Sequence, residues 1–567
     1  MVFRKLDIPL AELIALDQSL TARDSVPIDA GFPPAGYNET FQLSVPPVLP
    51  KNAASCIIDF GWYQFASSYG TPWVISNFSV PANCGTEWSE VVLTFESSIQ
   101  GIQYDRVFQV WFDGAEAIRG CTDEPTVTGI WWSIDKDITD FSPILKTTKK
   151  VTVGLDNIVD LSIDINGVYN VSVKLTFYEG TKPATVPDVL IPLQSGNLYP
   201  YITLQGEGTA ANFELSEIPQ NIAKAELEFF VSHHQNDEFY YLNVPDSIAQ
   251  PSEGLYGGGT FKELEVYIDG EQVGVNWPFQ LIYTGGLLPS LWHPVTHIAS
   301  ENFPSYRFDL TAFAPLFSDG KNHTFTLNVT TQTPGSNWYV DGNLRIWLSS
   351  DKKAVTTGRI ISSHFPQTQP TNVISFDSDG VDFNVTTTLS KTISYSAIVG
   401  TEKIDFKQVL EFSSGLVYTD GLNNVTGYHI IYATTHTKIT DVKSGHIISD
   451  TRAFVSYPMV FEYIVVALVD DFSEYYIHAH FNHKRKVHST TTNGGSKLLA
   501  RSLVDEELDA NSAGATELPP YGYFYSKLHN GTLTSDVYSI QTGHQKFAQE
   551  VRSVNYTVVY DHVNQNY

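Results

Sequence analysis

The octapeptide Val107-Phe108-Gln109-Val110-Trp111-Phe112-Asp113-Gly114 decides the fold. A strand-favouring apolar run that stops at Asp-Gly reads as a strand entering a two-residue hairpin, because Asp and Gly tolerate the left-handed dihedrals of such turns. The pattern returns at Leu264-Glu265-Val266-Tyr267-Ile268-Asp269-Gly270. Around the first copy, Val91 to Phe95, Val151 to Leu155 and Val171 to Tyr178 read as strands; around the second, Ala225 to Val231, Phe325 to Val329 and Leu344 to Leu348 do the same. Strands of this length separated by turns argue for a sandwich or jelly roll. Two units of related design are therefore expected. A third β-rich region follows, marked by Val409 to Phe412, His429 to Tyr432 and Phe461 to Leu468.

The expected fold class is all-β: two adjacent jelly-roll or β-sandwich domains plus a β-rich C-terminal domain. Residues 1–50 read as an extended lead-in with a short amphipathic helix around Ile8 to Leu20. Residues 51–185 form the first jelly roll, 186–350 the second and 355–567 the C-terminal domain. Thr181 to Gly196 and Ser350 to Pro370 read as proline-bearing linkers. The acidic stretch Arg501 to Pro520 reads as an exposed loop, and Lys484-Arg485-Lys486 as a solvated hairpin tip.

The chain carries 62 acidic against 34 basic residues, a net charge of −28. Such a field repels polyanions, which disfavours nucleic acid and anionic membrane as partners. No stretch is long and apolar enough to span a membrane. Three cysteines, Cys56, Cys84 and Cys121, make neither a disulfide framework nor a metal pattern; one bridge with one free thiol and three reduced thiols are both allowed. Nine sequons, at Asn38, Asn77, Asn170, Asn322, Asn328, Asn384, Asn424, Asn530 and Asn555, fit a glycosylated protein of the secretory pathway, secreted or vacuolar. Met1 to Asp24 has no continuous apolar core, so a trimmed or replaced signal segment is expected.

No nucleophile elbow, phosphate-binding loop, dinucleotide fingerprint or zinc pattern occurs. What remains is carboxylates and aromatics. Asp105-Arg106, at the mouth of the strand from Val107, has two readings. One is a salt bridge pinning a sandwich rim. The other is a catalytic acid held in place by neighbouring donors.

An ordered series of motifs bears on that choice. It runs Cys84-x-x-x-Trp88-Ser89-Glu90-Val91-Val92-Leu93-Thr94, then Gln103-Tyr104-Asp105-Arg106, then Val110-Trp111. It continues with Asp123-Glu124-Pro125-Thr126-x-x-Gly129-Ile130-x-Trp132, Lys136-Asp137, Tyr283-Thr284-Gly285-Gly286 and Leu291-Trp292-x-Pro294. Ser305-Tyr306 and Asp319-Gly320-Lys321-Asn322-His323 complete it. The series resembles the peptide-N-glycosidase A family of plant and fungal acid glycoamidases, itself distantly similar to the bacterial F-type enzymes.

The resemblance implies two side-by-side jelly rolls with a cleft between them, N-glycosylated peptides as substrate, and no metal or organic cofactor. It implies Asp105 as the catalytic carboxylate; the chemistry of amide hydrolysis, without the resemblance, lets Arg106 hold that carboxylate in position or polarise the carbonyl. Asp156 matches a helper position by strand register. Glu238 and Glu263 are alternative contributors from the second domain. Tyr104, Glu124, Trp132 and Trp292 are the candidates for gripping the core sugar, since aromatic rings match the apolar faces of sugars; Trp62, Trp73 and Trp131 lie near the same motifs. A carboxylate-pair glycoside hydrolase and a non-catalytic glycan-binding protein are the alternative functions on the same scaffold.

Overall fold

The computed structural model describes residues 32–50, 55–467, 474–495, 497–517, 525–527, 532–542 and 545–566. The helix expected near Ile8 to Leu20, the chain start and Asn530 lie outside them. The chain is all-β, with only single-turn helices among the described residues. None of these helices is long and apolar enough to cross a membrane.

The first unit pairs two sheets. One runs, neighbour to neighbour, Asn38–Glu39, Ile130–Asp137, Trp88–Ile99, Tyr169–Glu179, Ser55–Phe65; the other runs Trp73–Ser76, Lys150–Leu155, Val107–Phe112, Ala115–Cys121. The rings of Phe95 and Phe108, one from each sheet, stack at 4.1 Å and close the core. Asp113 and Gly114 both take positive φ (45° and 89°), as does the pair Asp269 and Gly270 (48° and 85°). Both hairpins therefore turn where the sequence places them. A disulfide joins Cys56 to Cys84, and Cys121 is free and buried.

The strand Val107–Phe112 is buried on both faces, which explains its unbroken apolar run. Phe108, Val110 and Phe112 enter the first core. Trp111 faces the other way and donates from Nε1 to Asp341 Oδ2 of the second unit at 2.8 Å.

That second unit joins a sheet ordered Val189–Leu193, Ser336–Leu348, Ile222–Gln235, Tyr306–Asp309, with Ile202–Gln205 also on Ser336–Leu348, to a sheet ordered Ala210–Leu215, His323–Thr330, Glu263–Ile268, Glu271–Asn276. The seam between the units is polar but paired. Arg119 donates to both oxygens of Glu116 at 2.7 Å, to Ser232 Oγ at 3.0 Å and to the Tyr339 carbonyl at 2.6 Å, and meets Asp341 at 3.3 Å.

Among the described residues the third region is one twelve-stranded antiparallel sheet. Its inner face shares a core with the second unit, through ring contacts such as Phe261–Phe412 and Phe279–Tyr457, both at 5.2 Å. A buried chain of side chains crosses the same interface: His297 Nε2 to His483 Nδ1 at 3.1 Å, His483 Nε2 to Gln280 Oε1 at 3.2 Å, and Gln280 Nε2 on to His429 Nδ1.

Four sequence readings are corrected. Val189–Leu193 and Gly358–His364 are strands inside the two expected linkers. Arg501 to Glu517 belongs to the strand Leu498–Glu517, and Lys484 to Lys486 lies inside the strand Glu474–Thr492. These last two errors have one cause. The basic run stands opposite the acidic one, with Lys484, Arg485 and Lys486 in register with Glu507, Glu506 and Asp505. Lys484 reaches Glu507 at 2.7 Å. Opposite charges across a ladder make both segments good strands, which neither segment shows alone.

Candidate active site

Asp105 lies on the short irregular segment before Val107–Phe112, half-buried at the seam. The segment is fixed by its backbone. Arg106 N–H donates to Thr122 Oγ1 at 2.8 Å, Thr122 N–H donates to the Arg106 carbonyl at 2.7 Å, and the Tyr169 hydroxyl donates to the Tyr104 carbonyl at 2.6 Å.

The Asp105 carboxylate receives two donors. Cys121 Sγ–H meets Oδ2 at 3.0 Å, and the Gly285 N–H comes from the second unit. Arg106 does not clamp it. The guanidinium donates instead to Gln103 Oε1 at 2.9 Å and lies 5.6 Å from the Tyr104 ring centroid. The rim salt-bridge reading therefore fails on geometry.

Glu124 stands beside Asp105 and accepts its backbone N–H on Oε2 at 3.0 Å. A Cβ added at Gly285 would stand 2.4 Å from Asp105 Oδ1 and 2.6 Å from Glu124 Oε2. Only glycine lets the backbone come that close. The two carboxyl groups thus flank one point in space.

Burial, then the charge of Glu238, raises Asp105 above the usual carboxylate range; Cys121, Gly285 and Arg106 oppose the rise. Burial, then the charge of Asp105, pushes Glu124 well up. Burial lifts neighbouring Asp123 to about 7. Like charges this close do not both ionise readily. Asp105 has the more donors and the smaller rise, so it is the more readily ionised of the two.

The other expected residues fall into two groups. Glu238, in the turn after Ile222–Gln235, is half-buried and close enough to act electrostatically on Asp105. Asp156 directly follows the neighbouring strand Lys150–Leu155, with Oδ1 accepting from Gly70 N–H at 2.9 Å and from the Tyr199 hydroxyl. Burial raises it, and Arg106 pulls it down. Tyr104 is 39% exposed next to Asp105. These residues share one seam.

Three do not join it. Glu263 is buried against Lys391, whose Nζ lies 2.6 and 2.7 Å from its two oxygens, and accepts from Trp277 Nε1 at 2.8 Å. Its carboxylate serves an ion pair to the third sheet. Trp132 and Trp292 have no exposed surface. Trp132 packs in the first core, and Trp292 donates to the Gly286 carbonyl at 2.8 Å and packs on His297 and Phe481. No sugar reaches either ring. Tryptophan in a motif carries no local mark that separates core from cleft.

Among the sequons, Asn38, Asn77, Asn322, Asn384 and Asn555 are exposed. Asn170 and Asn424 are half-buried and accept hydrogen bonds on Oδ1. Asn328 is also half-buried and donates from Nδ2 to Glu265 Oε2 at 2.9 Å.

The sequence reading passed over Cys121, Thr122, Tyr169 and Gly285. Gly285 lay within a quoted motif, but its contact with Asp105 comes from 180 residues along the chain. Among the described residues no group of His, Cys, Asp and Glu could hold a metal ion.

Residues 46–364 match the family model described as peptide N-acetyl-beta-D-glucosaminyl asparaginase amidase A. The chain is 34% identical over 418 residues to peptide-N4-(N-acetyl-beta-glucosaminyl)asparagine amidase A of Prunus dulcis, covering 69% of this chain and 72% of the relative. Among solved structures, peptide:N-glycanase F is similar at 13% identity and a TM-score of 0.34, over 52% of this chain and 96% of that one. PNGF-II is similar at 14% identity and a TM-score of 0.33, over 50% of this chain and 60% of that one.

Proposed function

The chain belongs to the peptide N-acetyl-beta-D-glucosaminyl asparaginase amidase A family, and we propose that it hydrolyses the amide between the core N-acetylglucosamine of an N-glycan and an asparagine side chain at the seam around Asp105. The products are an aspartate-containing peptide and a glycosylamine.

The observation that carries the site assignment is the pair Asp105 and Glu124, one carboxyl poised to ionise and its neighbour holding a proton. Amide hydrolysis needs both forms at once. Ionised Asp105 takes a proton as water attacks the carbonyl carbon, and protonated Glu124 supplies one to the departing nitrogen. Arg106, Asp156 and Glu238 complete the polar wall. The Arg106 charge favours the developing oxyanion, and Glu238 raises the basicity of Asp105. Tyr104 offers the exposed ring for the core sugar.

Both carboxyls titrate above the ordinary range, Glu124 the further of the two, so the working form, Asp105 ionised and Glu124 protonated, occupies the pH interval between them. A secretory location fits this reading. The Cys56–Cys84 bridge needs an oxidising compartment, and five of the sequons are exposed.

Incubation of an N-glycopeptide with the protein in heavy-oxygen water tests the reaction. Conversion of Asn to Asp with one heavy oxygen incorporated is the expected result. A product that keeps Asn with a residual sugar makes the protein a glycosidase; unchanged glycopeptide makes it a binding protein.

A further inference from the structure

Cys121 is the one described cysteine outside the disulfide. It ends the strand Ala115–Cys121, and its backbone N–H donates to the Ser300 carbonyl at 2.8 Å. Its side chain is buried, with two polar neighbours. Thr284 Oγ1 lies 3.5 Å from Sγ, but that hydroxyl is engaged as a donor to the Thr122 carbonyl. Asp105 Oδ2 lies 3.0 Å away and is the stronger acceptor. The S–H rotor therefore has one favourable direction, toward the carboxylate.

The geometry points to Cys121 as a positioning residue for the hydrolysis: its thiol pins Oδ2 of Asp105 while the Gly285 amide holds the same carboxylate from the second unit. The inference rests on the reading of Asp105 as the base.

A thiol suits this task for a physical reason. Two fixed donors set the rotation of a carboxylate, but strong donors also strip it of basicity. A hydroxyl at 121 would donate strongly and weaken the base. An apolar side chain would leave the carboxylate free to turn. The weakly donating S–H fixes orientation at small cost in basicity. The thiol itself stays protonated: burial, then the adjacent Asp105 charge, pushes it well above its ordinary value. It acts as a donor and not as a nucleophile.

Other groups face Asp105 from the elements packed on it, and they bear on any titration. Glu124 and Asp123 follow Cys121 in sequence, Glu238 comes from the second unit, Arg106 adjoins, and Tyr169 lies below. A change at 121 alters none of their charges, so a shift in the profile reports the hydrogen bond.

The experiment measures kcat/KM for glycopeptide against pH in the full chain carrying Cys121→Ala or Cys121→Ser, with Asp105→Asn alongside. In Cys121→Ala the midpoint of the acid limb rises by a fraction of a pH unit, the small gain in proton affinity expected on losing a weak donor to a carboxylate. Its plateau falls about tenfold as the carboxylate loses its fixed rotation. In Cys121→Ser the stronger donor moves the acid limb below that of the wild type. Acid limbs that superimpose in all folded variants overturn the inference. Should Cys121→Ala fail to fold, the near-isosteric Cys121→Ser carries the test, and an unmoved limb there is equally fatal. The control separates two failures: an active Asp105→Asn removes Asp105 as the base, whereas an inactive one beside unshifted Cys121 variants removes only the role of the thiol.

Discussion

The backbone N–H of Asp105 donates to Glu124 Oε2 at 3.0 Å, binding the main chain of one acidic residue to the side chain of another 19 positions along. Two carboxyls are thereby held together where mutual repulsion would otherwise part them. The arrangement is stable when one of them is protonated.

Glu124→Gln keeps an acceptor for that N–H and removes the proton source. We expect kcat/KM to fall by about 10²- to 10⁴-fold, with the alkaline limb of the pH profile displaced. A variant whose alkaline limb and rate match the wild type would exclude Glu124 as the acid.

Gly285→Ala tests the close approach of the two units. The added Cβ meets both Asp105 Oδ1 and Glu124 Oε2 well inside contact distance. Displacing reacting groups by about 1 Å costs roughly 10²-fold in rate. A loss of that order in kcat is expected, with the thermal midpoint moving little because the site is half-exposed. Undiminished turnover would show that the seam gives way without consequence.

Arg119→Met probes the seam itself. It leaves Glu116 and Asp341 buried without their shared guanidinium. Removing one partner from such a network costs about 3–5 kcal/mol, read as a lower denaturant midpoint. Adding Glu116→Gln to Arg119→Met should recover part of the loss, since one uncompensated charge is gone. A double variant less stable than the single one would contradict this.

Acid should loosen the attachment of the third sheet. Burial lowers His297 to about 3 and His429 to about 4, and lowers His483 well below the ordinary histidine value of about 6.5. The unfolded chain therefore binds protons from about pH 6.5 downward while the folded one does not. Their stabilising contribution is whole above that pH and declines as pH falls toward about 4. Unfolding free energy measured over this window should fall less steeply in His429→Gln than in the wild type. Parallel slopes would remove His429 from the account.

Much of the architecture is legible in local sequence, and the reason is visible in single elements. The Asp113-Gly114 and Asp269-Gly270 turns need left-handed dihedrals that few residue pairs accept. The strands beside them carry their burial in their composition. Asp105 is legible only through the string of motifs around it. What escapes is long-range. Nothing near Glu263 announces Lys391, and nothing near Lys484 to Lys486 announces the acidic strand that pairs with it. The same holds at the site: Cys121 and Gly285 reach Asp105 through tertiary contact, and the buried rings of Trp132 and Trp292 look in sequence like any sugar-binding aromatic.

The most direct test compares Asp105→Asn with the wild type, following both glycopeptide binding and its conversion. Asparagine keeps the size of the side chain and cannot accept a proton from water. Binding within a few-fold of the wild type, together with turnover reduced by about 10³-fold or more, is the expected outcome. Turnover close to that of the wild type would contradict the assignment of Asp105 as the base.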